Sequence, residues 1–230
     1  MAGAASMDAE VQAAAEAARG FMPPDEGRAL HAAAASLTVP GPLLEIGSYC
    51  GKSAAFIGLA CQQRRSVLFS IDHHRGSEEQ QPGEEYFDPE IFDEAQGRVD
   101  TFPLFRRTME KLGLTDTVVP IVAPSVLVAR AWRTPLSLVF IDGSHTFAAA
   151  FNDYSSWATH ILPGGFLVIH DIFLNVSGGG QAPHTIYRLA AASGLFRELP
   201  MTRSLGVLQR LPDIGAPPAA LLLWEDLNKG

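Results

Sequence analysis

Short apolar runs alternate with longer amphipathic segments along most of this chain. The apolar runs have the length of buried strands, and the longer segments repeat apolar residues at helical spacing, as Phe102, Phe105, Met109 and Leu112 do. The predicted strands cover 43–46, 66–72, 118–122, 136–142, 166–170, 196–199 and 206–210. The predicted helices cover 9–18, 28–37, 52–60, 102–112, 126–132, 147–161 and 184–192.

Strands that alternate with helices predict a parallel sheet that binds its ligands at the carboxyl ends of the strands. We expect an α/β fold, a single doubly wound Rossmann-like domain. Its seven-stranded, mostly parallel sheet ends in an antiparallel strand. A length of 230 residues with 47% hydrophobic content favours one domain. We divide the chain into an N-terminal helical cap (1–40), the main domain (41–210) and a C-terminal tail (211–230).

Proline and glycine residues set the predicted boundaries of several elements. Pro23 and Pro24 should lie in a break between the first two helices, because proline cannot continue a helix. The sequence Pro163-Gly164-Gly165 should separate a helix from the fifth strand. The glycine-rich loop 177–183 is a candidate substrate lid. The apolar N-terminal helices and the tail favour a homodimer.

Composition and charge exclude several classes of protein. No segment reaches the ~20 apolar residues that span a bilayer, and the N-terminus lacks the pattern of a signal peptide, so we expect a cytoplasmic protein that does not contact membranes. Cys50 and Cys61 should be reduced, buried thiols. The formal charge of −8 disfavours nucleic acid as a partner. Residues 73–100 contain nine acidic residues and two arginines, a net charge of −7. We call this segment the acidic insertion and expect it beside the ligand, as a candidate lid.

The stretch Leu43-Leu-Glu-Ile-Gly-Ser-Tyr-Cys-Gly-Lys-Ser53 predicts a strand, a glycine turn and a helix N-terminus. Such a turn brings backbone N–H groups close to a nucleotide-like ligand. A dinucleotide fingerprint requires a closer first pair of glycines than Gly47 and Gly51. A phosphate loop requires one more residue before its Lys-Ser, but the strand that ends at Asp142 resembles a magnesium-binding strand, so a phosphate-loop nucleotide-binding protein stays the alternative.

Five motifs resemble the class I S-adenosylmethionine-dependent methyltransferases, and within them the small-molecule, catechol O-methyltransferase type. They are Glu45-Ile-Gly-Ser-Tyr-Cys-Gly-Lys-Ser53, Ser70-Ile-Asp72, Ala123-Pro-Ser125, Phe140-Ile-Asp-Gly-Ser-His145 and Val168-Ile-His-Asp171. Their order and spacing hold over roughly two thirds of the chain. The resemblance implies an O-methyltransferase of the bacterial branch that modifies sugars and natural products.

The resemblance also implies which residues bind the methyl donor. Asp72, an acid at the tip of the second strand, suits the ribose hydroxyls, and Ser125 lies where the family contacts adenine. Ser125 equally suits the N-cap of the following helix, and the two roles can coexist. Phe21 and Met22 either wall the pocket or pack in the core. The donor-binding set is Glu45, Gly47, Tyr49, Gly51, Ser53, Asp72, His73, Ser125 and Asp142.

Four ionisable residues should meet where the fourth and fifth strands end: Asp142, His145, His170 and Asp171. The resemblance places a magnesium ion on Asp142, His170 and Asp171. A histidine in an otherwise oxygen-rich set shifts the preference toward Mn²⁺ or another transition ion, or leaves the ion to the two aspartates. The resemblance also puts His145 where the family has a lysine base. We predict His145 as the catalytic base, with His170 in that role where no metal binds.

The acceptor is predicted to be a small hydroxylated molecule. The many polar groups of the acidic insertion suit a sugar, glycoside or oligosaccharide, and no aromatic cluster is evident in the sequence. A phenol or catechol is the alternative acceptor. Carboxylates near the site would oppose a strongly anionic acceptor.

Overall fold

A computed structural model describes residues 7–84, 86–175 and 179–212. Seven strands form one sheet in the order β5-β2-β1-β6-β7-β9-β8, in which only β9 runs antiparallel to its neighbours. This confirms the predicted α/β class and the antiparallel last strand. The strands of this sheet are β1 (Leu43–Ile46), β2 (Leu68–Asp72), β5 (Val118–Val122), β6 (Leu136–Ile141), β7 (Ile161–Ile169), β8 (Phe196–Glu198) and β9 (Gly206–Arg210).

Helices cover both faces of the sheet, because successive strand residues point to opposite sides. The helices are α1 (Ala9–Glu16), α2 (Pro24–Ser36), α3 (Lys52–Arg64), α4 (Phe102–Lys111), α5 (Ser125–Ala129), α6 (Phe147–Trp157) and α7 (Ala182–Ala192). Leu43, Leu138 and Phe140 join one apolar cluster with α2, α3 and α4, whereas Leu44 and Val139 join another with α6 and α7. None of these described helices is long and apolar enough to cross a bilayer.

A non-helical segment, 17–23, separates α1 from α2 as predicted, but the second helix begins earlier than expected. Pro23 is the N-cap and Pro24 the first residue of α2, where a missing N–H costs nothing. The helix therefore begins four residues before the predicted 28–37 and includes Glu26. Gly27 lies against the ring of Phe56, where a Cβ would come within 2.2 Å, so α2 packs tightly on α3.

Pro163-Gly164-Gly165 does not separate a helix from a strand, which is a second correction. α6 ends at Trp157, a 3-10 turn covers Ala158–His160, and β7 begins at Ile161. The pairing with β6 shifts between Leu136 and Leu138, where the extra residues of β7 form an irregularity. Such a bulge accommodates proline and glycine within one continuous strand.

The acidic insertion contains two 3-10 helices, Glu78–Gln80 and Pro89–Ile91, and a short hairpin of β3 (Phe92–Asp93) and β4 (Arg98–Val99). Arg19, which follows α1, pairs with Asp88 and with Glu90 at 2.6 Å. At the other side, Ser144 donates to the carboxylate of Glu78 at 3.3 Å. The insertion is therefore attached both to the N-terminal cap and to the loop after β6.

Glu45 is fully buried in the middle of β1. Ser53 and Ser70 donate hydrogen bonds to its two carboxyl oxygens. Burial raises the pKa of Glu45 to about 8, because the two serine bonds do not offset the lost hydration and the nearby charges of Asp142 and Asp72. Both cysteines are likewise buried and free, as predicted.

The raised pKa of Glu45 predicts how the stability of the folded protein depends on pH. The folded state holds a proton that the unfolded chain releases near pH 4.5, so this carboxyl lowers stability as pH rises from about 4.5 to 8. The substitution Glu45→Gln keeps a neutral group that can accept from one serine and donate to the other. We expect the melting temperature of the variant, relative to the wild type, to increase steadily between pH 5 and 8.

Thermal denaturation at a series of pH values measures this difference. Glu94→Gln, at an exposed turn of the acidic insertion, is the matched control and should show no such trend. A Glu45→Gln difference that stays constant over the pH range would contradict the interpretation.

Candidate functional site

A cavity of about 700 Å³ opens at the carboxyl ends of β1, β2 and β6. Two predicted site residues lie outside its lining: Glu45 is enclosed in the sheet, and Gly51 packs against Phe105 and Met109. The structure brings the other predicted residues together around the cavity, together with Phe21 and Met22. They are Gly47, Tyr49, Ser53, Asp72, His73, Ser125, Asp142, His145, His170 and Asp171.

The glycine turn is held in place by the carboxylate of Asp72. One carboxyl oxygen accepts from the N–H groups of Ser48 and Tyr49, both at 2.9 Å, and the other accepts from His74 at 2.7 Å. Gly47 has a φ of +84° and lies so close to the backbone of Asp142 that a Cβ would approach its carbonyl oxygen to 2.1 Å. The turn is therefore closed from both sides, and its remaining surface faces the cavity.

The Ser48 hydroxyl is a site feature that no motif in the sequence indicates. It is buried and lines the cavity, and it has no hydrogen-bond partner within the described parts of the chain. A buried, unpaired hydroxyl is unfavourable unless a ligand supplies its partner. This orphaned group fits a polar ligand such as the methyl donor at the turn.

Ser125 and Asp153 form a second polar group in the cavity wall. Ser125 is the first residue of α5, whereas Pro124 occupies the cap, so the capping role is wrong. The Ser125 hydroxyl donates to the carboxyl of Asp153 on α6. Burial raises the pKa of Asp153 to about 6, despite this hydrogen bond. The sequence gives no local sign of Asp153, because it lies mid-helix.

Four aromatic residues from separate segments line the cavity: Phe21, Tyr49, Tyr86 and Phe173. The ring of Phe21 contacts those of Tyr49 and Tyr86, at centroid distances of 5.3 and 5.7 Å. No aromatic cluster is evident in the sequence, because residues this far apart along the chain meet only after folding. They provide an apolar surface within the cavity.

His170 is buried between carboxylates from three elements. Its Nε2 lies 2.8 Å from Glu26 of α2, and its Nδ1 lies 3.0 Å from Asp142 and 3.4 Å from Asp171. Burial opposes a charge on the ring, but these carboxylates outweigh it and raise the pKa of His170 far above its usual range. The His170 side chain is only 5% exposed, whereas that of His145 is 26% exposed, so exposure favours His145 over His170 as the group that meets an acceptor hydroxyl.

His145 faces the cavity from the loop after β6. Its Nε2 lies 3.0 Å from Asp171 and its Nδ1 lies 3.3 Å from Glu79 of the acidic insertion. The hydrogen bond with Asp171 raises the pKa of His145, and burial opposes this in part. An imidazole oriented by a carboxylate at the edge of a cavity can accept a proton from a bound hydroxyl.

Asp142, His170 and Asp171 also fit a divalent metal ion. Each offers one ligand atom, and these atoms lie within 4.8 Å of one another. The Nδ1 atom of His170 faces the two aspartates, and one nitrogen with two carboxylates is a donor set that transition ions accept.

The comparisons with known proteins agree with this geometry. A family model for a methyltransferase domain matches residues 44–172, which is more than half of the chain. This match overturns the phosphate-loop alternative. Similar solved structures include the O-methyltransferase NovP, at a TM-score of 0.63 and 14% identity over 83% of this chain and 81% of that one.

Two further structures have the same fold. One is the adenosylhomocysteine-bound methyltransferase PaMTH1 of Podospora anserina, with a TM-score of 0.60 and 15% identity over 90% of this chain and 89% of that one. The other is CalS11, a TDP-rhamnose 3'-O-methyltransferase of calicheamicin biosynthesis, with a TM-score of 0.51 and 14% identity over 80% of this chain and 76% of that one. The chain therefore belongs to the methyltransferase domain family, and it is a class I methyltransferase that uses S-adenosylmethionine.

Proposed function

We propose that this enzyme transfers a methyl group from S-adenosylmethionine to a hydroxyl of a small, uncharged molecule, with a sugar or glycoside as the acceptor. The observation that carries the proposal is the contact between His145 and Asp171 at the edge of the cavity. It supplies a base beside the glycine turn where the family holds its methyl donor.

The donor-binding part of the proposal rests on the turn and the strand ends. Asp72 holds the turn and presents its carboxylate to the ribose hydroxyls, and Ser48 supplies a free hydroxyl. Ser125 and Asp153 offer polar groups to the adenine. Glu45, Gly51 and Ser53 support the turn: Ser53 bonds to Glu45, and Gly51 lets α3 begin close to α4.

The reaction is an in-line displacement. A lone pair of the acceptor oxygen forms a bond to the methyl carbon, the carbon–sulfur bond breaks, and its electron pair stays on the sulfur of adenosylhomocysteine. The acceptor hydroxyl takes the place of Glu79 at Nδ1 of His145 and gives its proton to that nitrogen, while the carboxylate of Asp171 at Nε2 stabilises the resulting imidazolium. Holding donor and acceptor in line contributes most of the remaining acceleration.

A divalent ion would be held by Asp142, His170 and Asp171. When bound, it would act as a Lewis acid that lowers the pKa of the acceptor hydroxyl.

The proposed acceptor follows from the charge and polarity of the cavity. Glu79, Gln80, Glu84 and Ser144 offer hydrogen bonds of the kind that hydroxyl-rich molecules need, and the carboxylates oppose an anionic acceptor. CalS11 acts on a sugar, although on one attached to a nucleotide. The aromatic surface of Phe21, Tyr86 and Phe173 favours a second candidate, a phenol or catechol.

The ribose role of Asp72 predicts weaker donor binding in Asp72→Ala. The substitution removes the acceptor of the Ser48 and Tyr49 N–H groups and the carboxylate that faces the cavity. We expect the Kd for adenosylhomocysteine to rise at least about tenfold, in line with the loss of one charge-assisted hydrogen bond. Calorimetric titration measures it.

Asp93→Ala is the control for this titration, because Asp93 also accepts from a backbone N–H, that of Gln96 in the β3–β4 hairpin. It should bind adenosylhomocysteine as the wild type does. An unchanged Kd in Asp72→Ala would refute the ribose role.

The role of His145 as base predicts that His145→Gln loses turnover but keeps its affinity for the donor. Without general-base assistance, kcat should fall by about 10² to 10⁴. The Kd for adenosylhomocysteine should stay within about twofold. His160→Gln, at the opposite end of β7, is the control and should leave kcat unchanged. Equal losses of donor affinity and turnover would reject the assignment.

A panel of acceptors tests the proposed substrate class. Neutral aryl glycosides, nucleotide sugars and catechols are each incubated with S-adenosylmethionine, and methylated product is measured by mass spectrometry. We expect the highest kcat/KM with a neutral glycoside. Preference for a catechol would replace the first candidate by the second, and preference for a nucleotide sugar would contradict the charge argument.

A further inference from the structure

Glu26 is a buried carboxylate that reaches the sheet edge from the N-terminal cap. Only 1% of its surface is exposed, and one carboxyl oxygen lies 2.8 Å from Nε2 of His170. The other oxygen accepts from the backbone N–H of Ser204 at 2.7 Å and from the Ser204 hydroxyl at 2.8 Å. A helix, the end of β7 and the loop before β9 thus meet at a single carboxylate.

This contact keeps a proton on one nitrogen of His170. A carboxylate can only accept, so the nitrogen that faces Glu26, Nε2, must donate. Nδ1 faces carboxylates as well, 3.0 Å from Asp142 and 3.4 Å from Asp171, and donates its own proton to them. A metal ion held by the two aspartates would take the place of the Nδ1 proton, while the Nε2 proton would stay with Glu26.

We propose that Glu26 is a positioning residue that keeps His170 in the Nε2–H form, so that Asp142, His170 and Asp171 bind a transition ion such as Mn²⁺ in preference to Mg²⁺. The inference rests on the metal of the proposed function and adds a residue outside the ligand set. A histidine ligand whose remote N–H is bound to a carboxylate is more basic and correctly oriented. A nitrogen donor favours transition ions, whereas Mg²⁺ prefers oxygen.

The contacts of Ser204 make Glu26→Gln a sharp test. The Ser204 N–H is a backbone donor that needs an acceptor, so the amide oxygen of the glutamine should turn toward it. The amide NH₂ then faces Nε2 of His170 and requires a lone pair there. The proton must then stay on Nδ1, the nitrogen that would bind the ion, although no ligand residue has changed.

Binding of the ions alone is measured by calorimetry with MnCl₂ and with MgCl₂ on the full chain. The wild type should bind Mn²⁺ at least about tenfold more tightly than Mg²⁺, and Glu26→Gln should lose about 10- to 100-fold in Mn²⁺ affinity. Asp25→Asn is the matched control: it removes the same charge one residue earlier on α2, where Asp25 pairs with Arg203 at the surface at 2.5 Å. It should bind Mn²⁺ as the wild type does.

A spectroscopic readout separates positioning from a merely structural role. In ¹⁵N-histidine spectra of the protein loaded with diamagnetic Zn²⁺, the His170 signals should show a proton on Nε2 and the metal on Nδ1. In Glu26→Gln the proton should be on Nδ1. If Glu26→Gln does not fold, the spectrum of the zinc-loaded wild type still tests the proposal. A proton on Nδ1 of His170 in that spectrum would overturn it.

Other results would also overturn it: equal affinity for the two ions, no ion binding by the wild type, or unchanged Mn²⁺ affinity in folded Glu26→Gln. Failure of the proposed function is recognised separately, by titrating the same preparations with adenosylhomocysteine. Loss of donor binding in the wild type would reject the function whatever the ions do, whereas normal donor binding without ion selectivity would reject only the role of Glu26.

Discussion

The buried contact between Glu26, His170 and Asp142 is the interaction that joins the N-terminal cap to the carboxyl edge of the sheet. An ionised group with 1% exposure is tolerated only when it is paired and hydrogen-bonded, and Glu26 satisfies this with His170 and Ser204. Burial opposes ionisation, but these partners outweigh it and lower the pKa of Glu26. The tight packing of Gly27 on Phe56 sets the position of α2 that makes the contact geometrically possible.

Two further acids near the glycine turn show how environment assigns different roles to similar residues. Asp72 accepts three backbone N–H groups and stays at the cavity surface, so it can act as an anion toward a ligand. Glu45 accepts only from two serine hydroxyls and is enclosed by the sheet, so its proton is retained to about pH 8. The first can contact the donor, whereas the second stabilises the strand and turn behind it.

The fold was largely predictable because each strand carries its own local pattern. The alternation of Leu43 and Leu44 between the two apolar clusters is the period-two pattern of a sheet covered on both faces. The convergence of Asp142, His145 and Asp171 followed from the same topology, since parallel strands end at one edge. Local patterns failed at Pro24 and at the bulge in β7, where proline begins a helix or lies within a strand.

The rest of the site depends on contacts between residues that are distant in sequence. Glu26 and His170 are 144 residues apart, and no periodicity links them. Asp153 could not be predicted as a site residue, because a polar residue on an amphipathic helix normally faces solvent. In the structure it instead accepts a hydrogen bond from Ser125. The aromatic surface formed by Phe21 and Tyr86 likewise required the acidic insertion to fold back toward the cap.

The acidic insertion gives the cavity a charge that suits methyl transfer. S-adenosylmethionine carries a sulfonium, an ammonium and a carboxylate, a net charge of +1, whereas adenosylhomocysteine has lost the sulfonium charge. The lining contains more carboxyl groups than cationic side chains, with Glu79 and Glu84 from the insertion and Arg19 and Lys52 among the cations. In physiological salt, charges interact over a Debye length of roughly 8 Å, so the carboxyl groups of the lining act on a ligand inside the cavity. They attract the positively charged donor more strongly than the neutral product. Transfer of the methyl group therefore removes an electrostatic attraction that held the donor, which favours exchange of product for a new donor. The same carboxyl groups repel a negatively charged acceptor.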